Sequence, residues 1–369
     1  MNEVYGSLLA HLAQTLFGVP TEAKVTDEVL REARRHTVLS LMPITESQVF
    51  WKIISQNTRR RVEHRKVHDL MTSLGIPYAI LKGVTSARYY PEPVRRQLGD
   101  VDLIVKPADF EHAVELLEKD GHHGVREMQE HHVRYDEGPA GWELHWRAPG
   151  FPENHEIERY VDEMVDNARE YEGCMCLSDF HHGLILLTHS AYHWINAGFN
   201  LRAVCDWAVF YSHFPEDEFI GMFEETLRRL GLWKYAQYLT ALCIRYLKAP
   251  ERAFVGEQDE AFLEALMEDI LIPDSERINQ AKLLMDEGSM TVDGTGMVRR
   301  FFIILSRKAC LVWPACEKYR ILLPFGMIAH LVKYAVKVVK GKKPKVHLGQ
   351  MVTGAKKRKS LYQRFELFR

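Results

Sequence analysis

The chain has 369 residues, of which 46% are hydrophobic and 27% are charged. This composition excludes a disordered or low-complexity protein and is sufficient for one large or two smaller globular domains. The formal net charge of −2 indicates no particular class of partner. The charge is unevenly distributed, however, because residues 328–369 contain twelve Lys and Arg against the single acid Glu366, and the remainder carries a net charge of −13.

The cysteines and the N-terminus are typical of a cytoplasmic protein. None of the six cysteines lies in a C-x-x-C or zinc-type pair, so we expect reduced, mostly buried thiols. The first residues place an acid early and no basic segment before the first apolar run, which does not resemble a secretory signal. No apolar run reaches the roughly 18 residues that a transmembrane helix needs.

The elements in chain order predict an α/β unit between helical segments. Residues 1–70 are predicted to be helical, because apolar residues recur there at spacings of three and four. Residues 76–83 and 100–105 are short and apolar, as in buried strands, with a short helix between them that ends at Pro91. A helix is predicted over 107–121, between Pro107 and Gly121.

Two further strands complete the unit. The segments HHVRYDEG and GWELHWR are predicted to form a hairpin joined near residues 138–141. The α/β core therefore extends over 71–148 and follows an N-terminal helical segment over 1–70. Residues 149–325 again show helical periodicity, with a Gly-rich loop predicted at 288–298, and residues 326–369 form a basic amphipathic helix and a Lys-rich tail.

Asp100 and Asp102 are the first candidate functional residues. Residues two apart on a strand project from the same face, so both carboxylates lie together at the start of an otherwise apolar strand. Adjacent carboxylates repel each other unless a cation lies between them, and Mg²⁺ or Mn²⁺ prefers such oxygen ligands. The alternative is a solvated strand start in which Asp100 merely caps a turn after Gly99.

The surrounding sequence favours the metal site. Gly83 ends the preceding strand, where its backbone can approach a phosphate closely, and Lys82 or Arg96 could neutralise a triphosphate. Glu143 shares one face of a later strand with His145 and supplies a third carboxylate. Three acids on adjacent strands suit two-metal phosphoryl or nucleotidyl transfer.

Several motifs in fixed order resemble the DNA polymerase beta-like nucleotidyltransferase superfamily, in particular its uncharacterised nucleotidyltransferase branch. The resemblance is close over about 75–147 and weaker beyond. The matching residues are Leu81-Lys82-Gly83, Tyr90-Pro91-Glu92-Pro93, Arg96, Asp100 and Asp102, Pro107–Gly121, Glu143-Leu144-His145-Trp146, and then His189, Arg202 and Asp206.

The resemblance implies an α+β fold, with a small mixed-sheet nucleotidyltransferase core embedded in a mostly helical protein. It implies that Mg²⁺ or Mn²⁺ is bound by Asp100, Asp102 and Glu143, and that an NMP is transferred from an NTP, with ATP expected, to a hydroxyl acceptor. The segment 149–325 would shape the acceptor site. The nucleotide would be bound by Lys82, Gly83, Val84, Thr85 and Arg96.

One residue departs from the superfamily pattern. The turn is usually Gly-Ser or Gly-Gly, whereas Val84 supplies no hydroxyl here, and Thr85 or Lys82 would have to compensate. This departure supports an alternative hypothesis, in which the chain is a catalytically weak member that binds a nucleotide or a partner protein.

The histidines and two later charged residues have open interpretations. His145 is a general base or a polar neighbour of the metals, whereas His189, Arg202 and Asp206 line the acceptor site or form buried ion pairs. Three His-His doublets, at 122–123, 131–132 and 181–182, do not predict a zinc site, because adjacent side chains diverge.

The basic C-terminal segment allows two further hypotheses. Over 326–345, apolar residues lie on one helix face and Lys333, Lys337 and Lys340 lie on or beside the other, which is typical of peripheral contact with an anionic membrane. The alternative is a helix packed on the core, followed by a solvated tail. A nucleic-acid-binding tail is less favoured, because the remainder of the chain is acidic and no aromatic residues are interleaved around Lys356–Lys359.

Overall fold

The computed structural model describes residues 2–126, 132–138, 141–148, 155–196, 199–271, 305–306, 309–310, 313, 315–339 and 363–367. The chain divides into two compact units, one of residues 1–193 and 199–271 and the other of residues 194–198 and 272–369. The predicted loop at 288–298 and the Lys-rich segment 340–362 lie outside the described residues. Among the residues described, no helix is long and apolar enough to cross a membrane.

Helices make up most of the first unit. They are α1 (Glu3–Phe17), α2 (Asp27–Arg35), α3 (Gln48–Ser73), α4 (Val84–Ala87), α5 (Phe110–Lys119), α6 (His155–Glu158), α7 (Tyr160–Asp166), α8 (Asp179–Asn196), α9 (Leu201–Ser212), α10 (Glu216–Arg229), α11 (Trp233–Leu247) and α12 (Glu260–Leu271), the end of α8 belonging to the second unit.

Polar side chains define where several of these helices begin. The side chains of Asn2, Thr26, Ser47 and Asn200 each accept a hydrogen bond from a backbone N–H of the first turn, at the starts of α1, α2, α3 and α9. Such caps satisfy amides that have no partner within the helix and stabilise it by about 1 kcal/mol each. The local sequence therefore sets these boundaries.

A seven-stranded mixed sheet lies within this helical unit. Its strands are β1 (Ala79–Ile80), β2 (Val101–Ile104), β3 (Val125–Arg126), β4 (His132–Tyr135), β5 (Trp142–His145), β6 (Arg169–Glu170) and β7 (Met175–Cys176), in the spatial order β3-β4-β5-β2-β1-β7-β6. The β2–β5 and β1–β7 pairs are parallel and the other pairs are antiparallel. The predicted mixed sheet in a mostly helical α+β protein is confirmed.

The two faces of the sheet differ in chemistry. One face packs on α3 and α5 through a core that includes Val101, Leu103, Trp142, Leu144 and Tyr135. Alternation along β2, β4 and β5 then places the intervening polar residues on the opposite face. The central strands are therefore fixed by their apolar side and carry their polar side chains together on the other.

Two strand segments were not predicted from the sequence. The segment after residue 149 was predicted to be helical, but it contains the hairpin of β6 and β7. Strand β7 of this hairpin pairs with β1. Strand β3 adds an edge strand beside β4. Each of these strands has only two residues, which is too short for an alternating pattern to identify them.

The helices after the sheet enclose an aromatic core. His182 on α8 is completely buried, and its ring stacks on Tyr89 at 5.5 Å with an interplanar angle of 3°, while Phe210 of α9 contacts it edge-on. Burial lowers the pKa of His182 to about 3, because the charged imidazolium is not solvated there. His182 is therefore neutral in the folded protein at neutral pH.

The second unit contains two described helices, α13 (Ala315–Lys318) and α14 (Leu323–Val339). Gly326 of α14 packs so closely on Cys316 and Ala309 that a Cβ there would lie 2.8 Å from the Cys316 sulfur. Trp194 and Phe365 pack with ring centroids 5.3 Å apart.

We predict that acid destabilises the protein through His182. Between pH 6.5 and 3 the unfolded chain binds a proton at this imidazole and the folded chain does not, so the free energy of unfolding falls as the pH falls. Urea denaturation at pH 7.5 and 5.0 should show a decrease about 2 kcal/mol smaller for His182→Asn than for wild type. His213→Asn is the matched control, because the exposed His213 also contacts Tyr89. Equal decreases for wild type and His182→Asn would contradict the assignment.

Candidate active site

The sheet register brings three carboxylates together on the polar face. Asp102 lies opposite Glu143 in the parallel β2–β5 pair, and Asp100 precedes β2 by one residue. Carboxylate oxygens of Asp100, Asp102 and Glu143 all lie within 4.8 Å of one another. One divalent cation can therefore contact all three groups after small side-chain movements.

Lys82 supplies a positive charge to this cluster. Its ammonium lies 3.0 Å from Asp102 Oδ2, and its side chain is 24% exposed. Burial acts to raise the pKa of Asp102, but Lys82 and the adjacent His145 outweigh it and hold that pKa well below its usual value. Asp100 differs, because burial and the charges of Asp102 and Glu143 raise its pKa.

His145 lies between two of the acids. Its Nε2 is 3.4 Å from Glu143 Oε2 and 3.8 Å from Asp102 Oδ1. The imidazole lowers the pKa of Glu143 against the effect of partial burial. Burial would lower the pKa of His145 itself, but the two carboxylates raise it.

Gly83 adopts a conformation that a side chain would prevent. Its φ and ψ are +65° and −116°, and a Cβ at this position would lie 2.5 Å from Nε2 of the buried His64 on α3. The His64 Nδ1 donates to the Arg60 carbonyl at 2.7 Å, and burial lowers the pKa of His64 to about 4. The backbone of Gly83, in the turn before α4, thus packs directly on the neutral imidazole of His64.

The two residues after Gly83 are directed into the protein. Val84 belongs to the hydrophobic core of the sheet, and the completely buried Thr85 donates its hydroxyl to the Ile80 carbonyl at 2.7 Å. Any contact of these two residues with a nucleotide would therefore be made by their backbone.

Arg96 holds the Gly83 turn to the helical region. Its Nε and Nη2 donate to the two carboxylate oxygens of Asp206 on α9, both at 2.7 Å, and Nη1 donates to the Gly83 carbonyl at 3.2 Å. The Tyr90 hydroxyl also donates to Asp206, at 2.7 Å. Asp206 thus pairs with Arg96, whereas Arg202 donates to the Gln97 carbonyl at 3.4 Å.

His189 extends the cluster onto α8. Its Nε2 is 3.0 Å from the Lys82 ammonium and 3.0 Å from His193 Nε2. Because an ammonium can only donate, His189 must accept with this nitrogen and is neutral. Burial and the charge of Lys82 hold the pKa of His189 well below its usual value, and burial lowers that of His193 to about 4.

Sequence reasoning missed three histidines near the site, namely His64, His132 and His193. His193 had a usable signal, because it follows His189 by four residues and so shares its helix face. His132 lies opposite His145 only through the register of β4 and β5, and His64 reaches Gly83 only through tertiary packing. Neither arrangement has a local pattern.

The comparison with known families agrees with this geometry. The family described as uncharacterised nucleotidyltransferase matches residues 20–248, from the connection after α1 to the end of α11. The chain belongs to this family, since the match covers more than half of its length. No curated protein matches the chain.

We predict that removing one partner of the buried Arg96–Asp206 pair strongly destabilises the protein. Arg96→Met should lower the free energy of unfolding by about 3–5 kcal/mol, because it leaves the Asp206 carboxylate buried without its cation. Arg159→Met removes an exposed pair with Glu156 one helical turn away and should cost less than about 0.5 kcal/mol. Urea denaturation measures both values, and similar small losses would contradict the prediction.

Proposed function

We propose that the protein is a divalent-metal-dependent nucleotidyltransferase that moves an NMP from an NTP to a hydroxyl acceptor. The observation that carries the proposal is the cluster of Asp100, Asp102 and Glu143, held within 4.8 Å by two paired strands of a chain that belongs to a nucleotidyltransferase family. Rigid strands suit such a site, because metal ligands must keep their geometry through the reaction.

The donor set fits Mg²⁺ or Mn²⁺. All three groups offer carboxylate oxygens, which these hard cations prefer, and the site still leaves positions for phosphate oxygens. The cation would neutralise charge on the phosphates and make the acceptor hydroxyl easier to deprotonate. Asp100, Asp102 and Glu143 would hold it, and Lys82, now paired with Asp102, is close enough to take a phosphate as an alternative partner.

The proposed NMP transfer is a single displacement at the α-phosphorus of the NTP. The acceptor oxygen forms a bond to the α-phosphorus, the bond from that phosphorus to the bridging oxygen of the β-phosphate breaks, and pyrophosphate leaves with the electron pair. The hydroxyl proton passes to water. The chain's own contribution is to bind and align the two reactants, which supplies much of the rate in phosphoryl and nucleotidyl transfer.

The turn at Gly83 is the proposed triphosphate site. A glycine with positive φ lets the backbone come close to a phosphate, and Arg96 fixes the turn through the Gly83 carbonyl. Arg96 is therefore proposed to position the turn, since its guanidinium already binds Asp206. ATP is the proposed nucleotide.

The helices after the sheet are proposed to shape the acceptor site. The contact of Lys82 with His189 brings α8 beside the carboxylates, and His193 lies next along the same helix. Arg202 on α9 is nearby, since its guanidinium donates to the carbonyl of Gln97, three residues before Asp100. These side chains are suited to contact the acceptor or its phosphates.

The alternative of a catalytically weak nucleotide-binding member rests on Val84. The Val84 side chain packs in the hydrophobic core, so this position has no direct contact with a phosphate to lose. The assembled acid cluster also favours activity, because three adjacent carboxylates repel one another and have no evident structural benefit. The proposed nucleic-acid-binding tail lies outside the described residues.

Labelled nucleotides test the transferase proposal. With Mg²⁺ and a cell extract as the source of acceptor, label from α-³²P-NTP should enter a product, whereas label from γ-³²P-NTP should leave as pyrophosphate. Asp102→Asn and Glu143→Gln should each lower the transfer rate by at least about a hundredfold, because each removes a charged metal ligand.

A matched control separates the site from general effects of charge. Asp69→Asn makes the same substitution at an exposed position on α3 and should leave transfer unchanged. Transfer that persists in Asp102→Asn, or transfer of the γ-label to product, would refute the proposed reaction.

We also infer a cytoplasmic protein that contacts an anionic membrane surface through α14. Phe325, Ile328 and Val332 are exposed at one helical face, the first two to 62% and 59%, and Leu331 is exposed beside them. Lys333 is exposed as well, and the sequence continues with lysines. Exposed apolar residues flanked by basic ones are typical of a helix that lies in a lipid interface.

Vesicle flotation tests this membrane contact. The protein should float with vesicles that contain phosphatidylserine and not with pure phosphatidylcholine, and added salt should weaken the binding. The double variant Ile328→Glu/Val332→Glu should lose binding, whereas Val62→Glu, at an exposed apolar residue of α3, should retain it. Equal flotation of the α14 variant and wild type would exclude this helix as the contact.

A further inference from the structure

A second group of ligand-type side chains lies beside the three carboxylates. His132 on β4 and Glu143 and His145 on β5 share the polar face of the sheet, and His132 pairs with His145 in the β4–β5 ladder. Glu143 Oε2 lies 3.4 Å from His145 Nε2 and 3.7 Å from His132 Nε2. The donor atoms of all three lie within 4.8 Å of one another.

The central histidine of this group has an unsatisfied polar atom. The His145 side chain is only 8% exposed, and its Nε2 is buried without a hydrogen-bond partner in the described part of the chain. Leaving such a nitrogen unpaired destabilises the folded protein, because the nitrogen has lost its hydrogen bonds to water. This nitrogen lies within 3.8 Å of a carboxylate oxygen of Glu143 and of Asp102, so a bound cation could contact it together with these acids.

The spacing of the donors fits a transition-metal ion. Zinc bonds to imidazole nitrogen and carboxylate oxygen are about 2.0–2.2 Å long, which places neighbouring ligand atoms of a tetrahedral site about 3.3–3.5 Å apart. The separations of 3.4 and 3.7 Å from Glu143 Oε2 are close to this value. Two imidazoles and one carboxylate also suit zinc-type ions better than Mg²⁺, which prefers oxygen.

We propose that His132, Glu143 and His145 form a binding site for a zinc-type divalent cation, next to the carboxylate site with which it shares Glu143. Three protein ligands leave a fourth position open, as in zinc sites that bind water or a substrate oxygen. Because the two sites share Glu143, the zinc-type ion would lie beside the ion held by the carboxylates and could act in the same reaction. This catalytic role rests on the proposed function. The binding itself does not depend on transferase activity.

The sequence alone did not predict this site, because its two histidines come from different strands. In the sequence, the doublet at 131–132 predicts no zinc site, because adjacent residues project in different directions. The partner of His132 comes instead from the next strand, through a register that the spacing of the residues does not reveal. The competing explanation is that His145 is an imidazolium paired with the carboxylates and binds no metal.

Cobalt and zinc binding to the full-length, chelator-treated protein tests the proposal. One equivalent of Co²⁺ should give visible d–d absorption, one equivalent of Zn²⁺ should abolish it, and excess Mg²⁺ should not. Zn²⁺ should also raise the melting temperature. His132→Gln and His145→Gln should each weaken Zn²⁺ binding at least about tenfold, as expected when a ligand is removed.

Two control variants define the site. His123→Gln changes an exposed histidine outside the cluster and should bind Zn²⁺ as wild type does. Asp100→Asn changes only the carboxylate site and should retain the cobalt spectrum. Absence of visible absorption in wild type, or unchanged Zn²⁺ affinity in His132→Gln, would overturn the proposal in favour of an imidazolium at His145.

The result remains decisive if His145→Gln does not fold. His132 is only partly buried, so His132→Gln, checked by circular dichroism, then decides alone. The outcome is also separate from that of the transferase assay. If the wild-type protein transfers NMP but does not bind zinc, only the proposed zinc site is refuted. If it binds zinc but transfers no NMP, only the proposed reaction is refuted.

Discussion

The arrangement of the candidate active site depends on the buried ion pair between Arg96 and Asp206. One guanidinium binds a carboxylate on α9 and the carbonyl of Gly83, so a single side chain joins the helical region to the turn beside the sheet. Such a pair is costly to desolvate, and its burial is therefore justified only where geometry matters more than stability. Here it fixes the Gly83 turn relative to α9.

Charge compensation is the second constraint. Asp100, Asp102 and Glu143 repel one another, and the chain offsets this repulsion with Lys82 and His145 while the pKa of Asp100 is raised. The neutral pair His189 and His193 then allows the lysine ammonium to be partly buried without a further positive charge beside it. The site is thus arranged so that an incoming cation can replace contacts that already balance the acids.

The sequence predicted much of the fold because its patterns are local. The apolar alternation of residues 100–105 and the Pro and Gly at the ends of 107–121 identify elements without tertiary information. The grouping of Asp100 and Asp102 with Glu143 followed from strand alternation together with the family resemblance. His64, His132 and the pairing of Asp206 with Arg96 were missed, because they depend on register and packing between distant segments. The strands β3, β6 and β7 were also missed, because two residues are too few to show an alternating pattern.

The parallel pairing of β2 with β5 determines which length changes the family can tolerate between Asp102 and Glu143. Asp102 and Glu143 are aligned by the hydrogen-bonded ladder of the sheet and not by a tight turn. The connections that join α5 to its neighbouring strands can therefore gain or lose length without altering the separation of the two acids. A single inserted residue within either strand, by contrast, would turn an acid into the apolar core. Relatives should be recognised by the alternation within each strand, and the distance between the motifs along the chain should be allowed to vary.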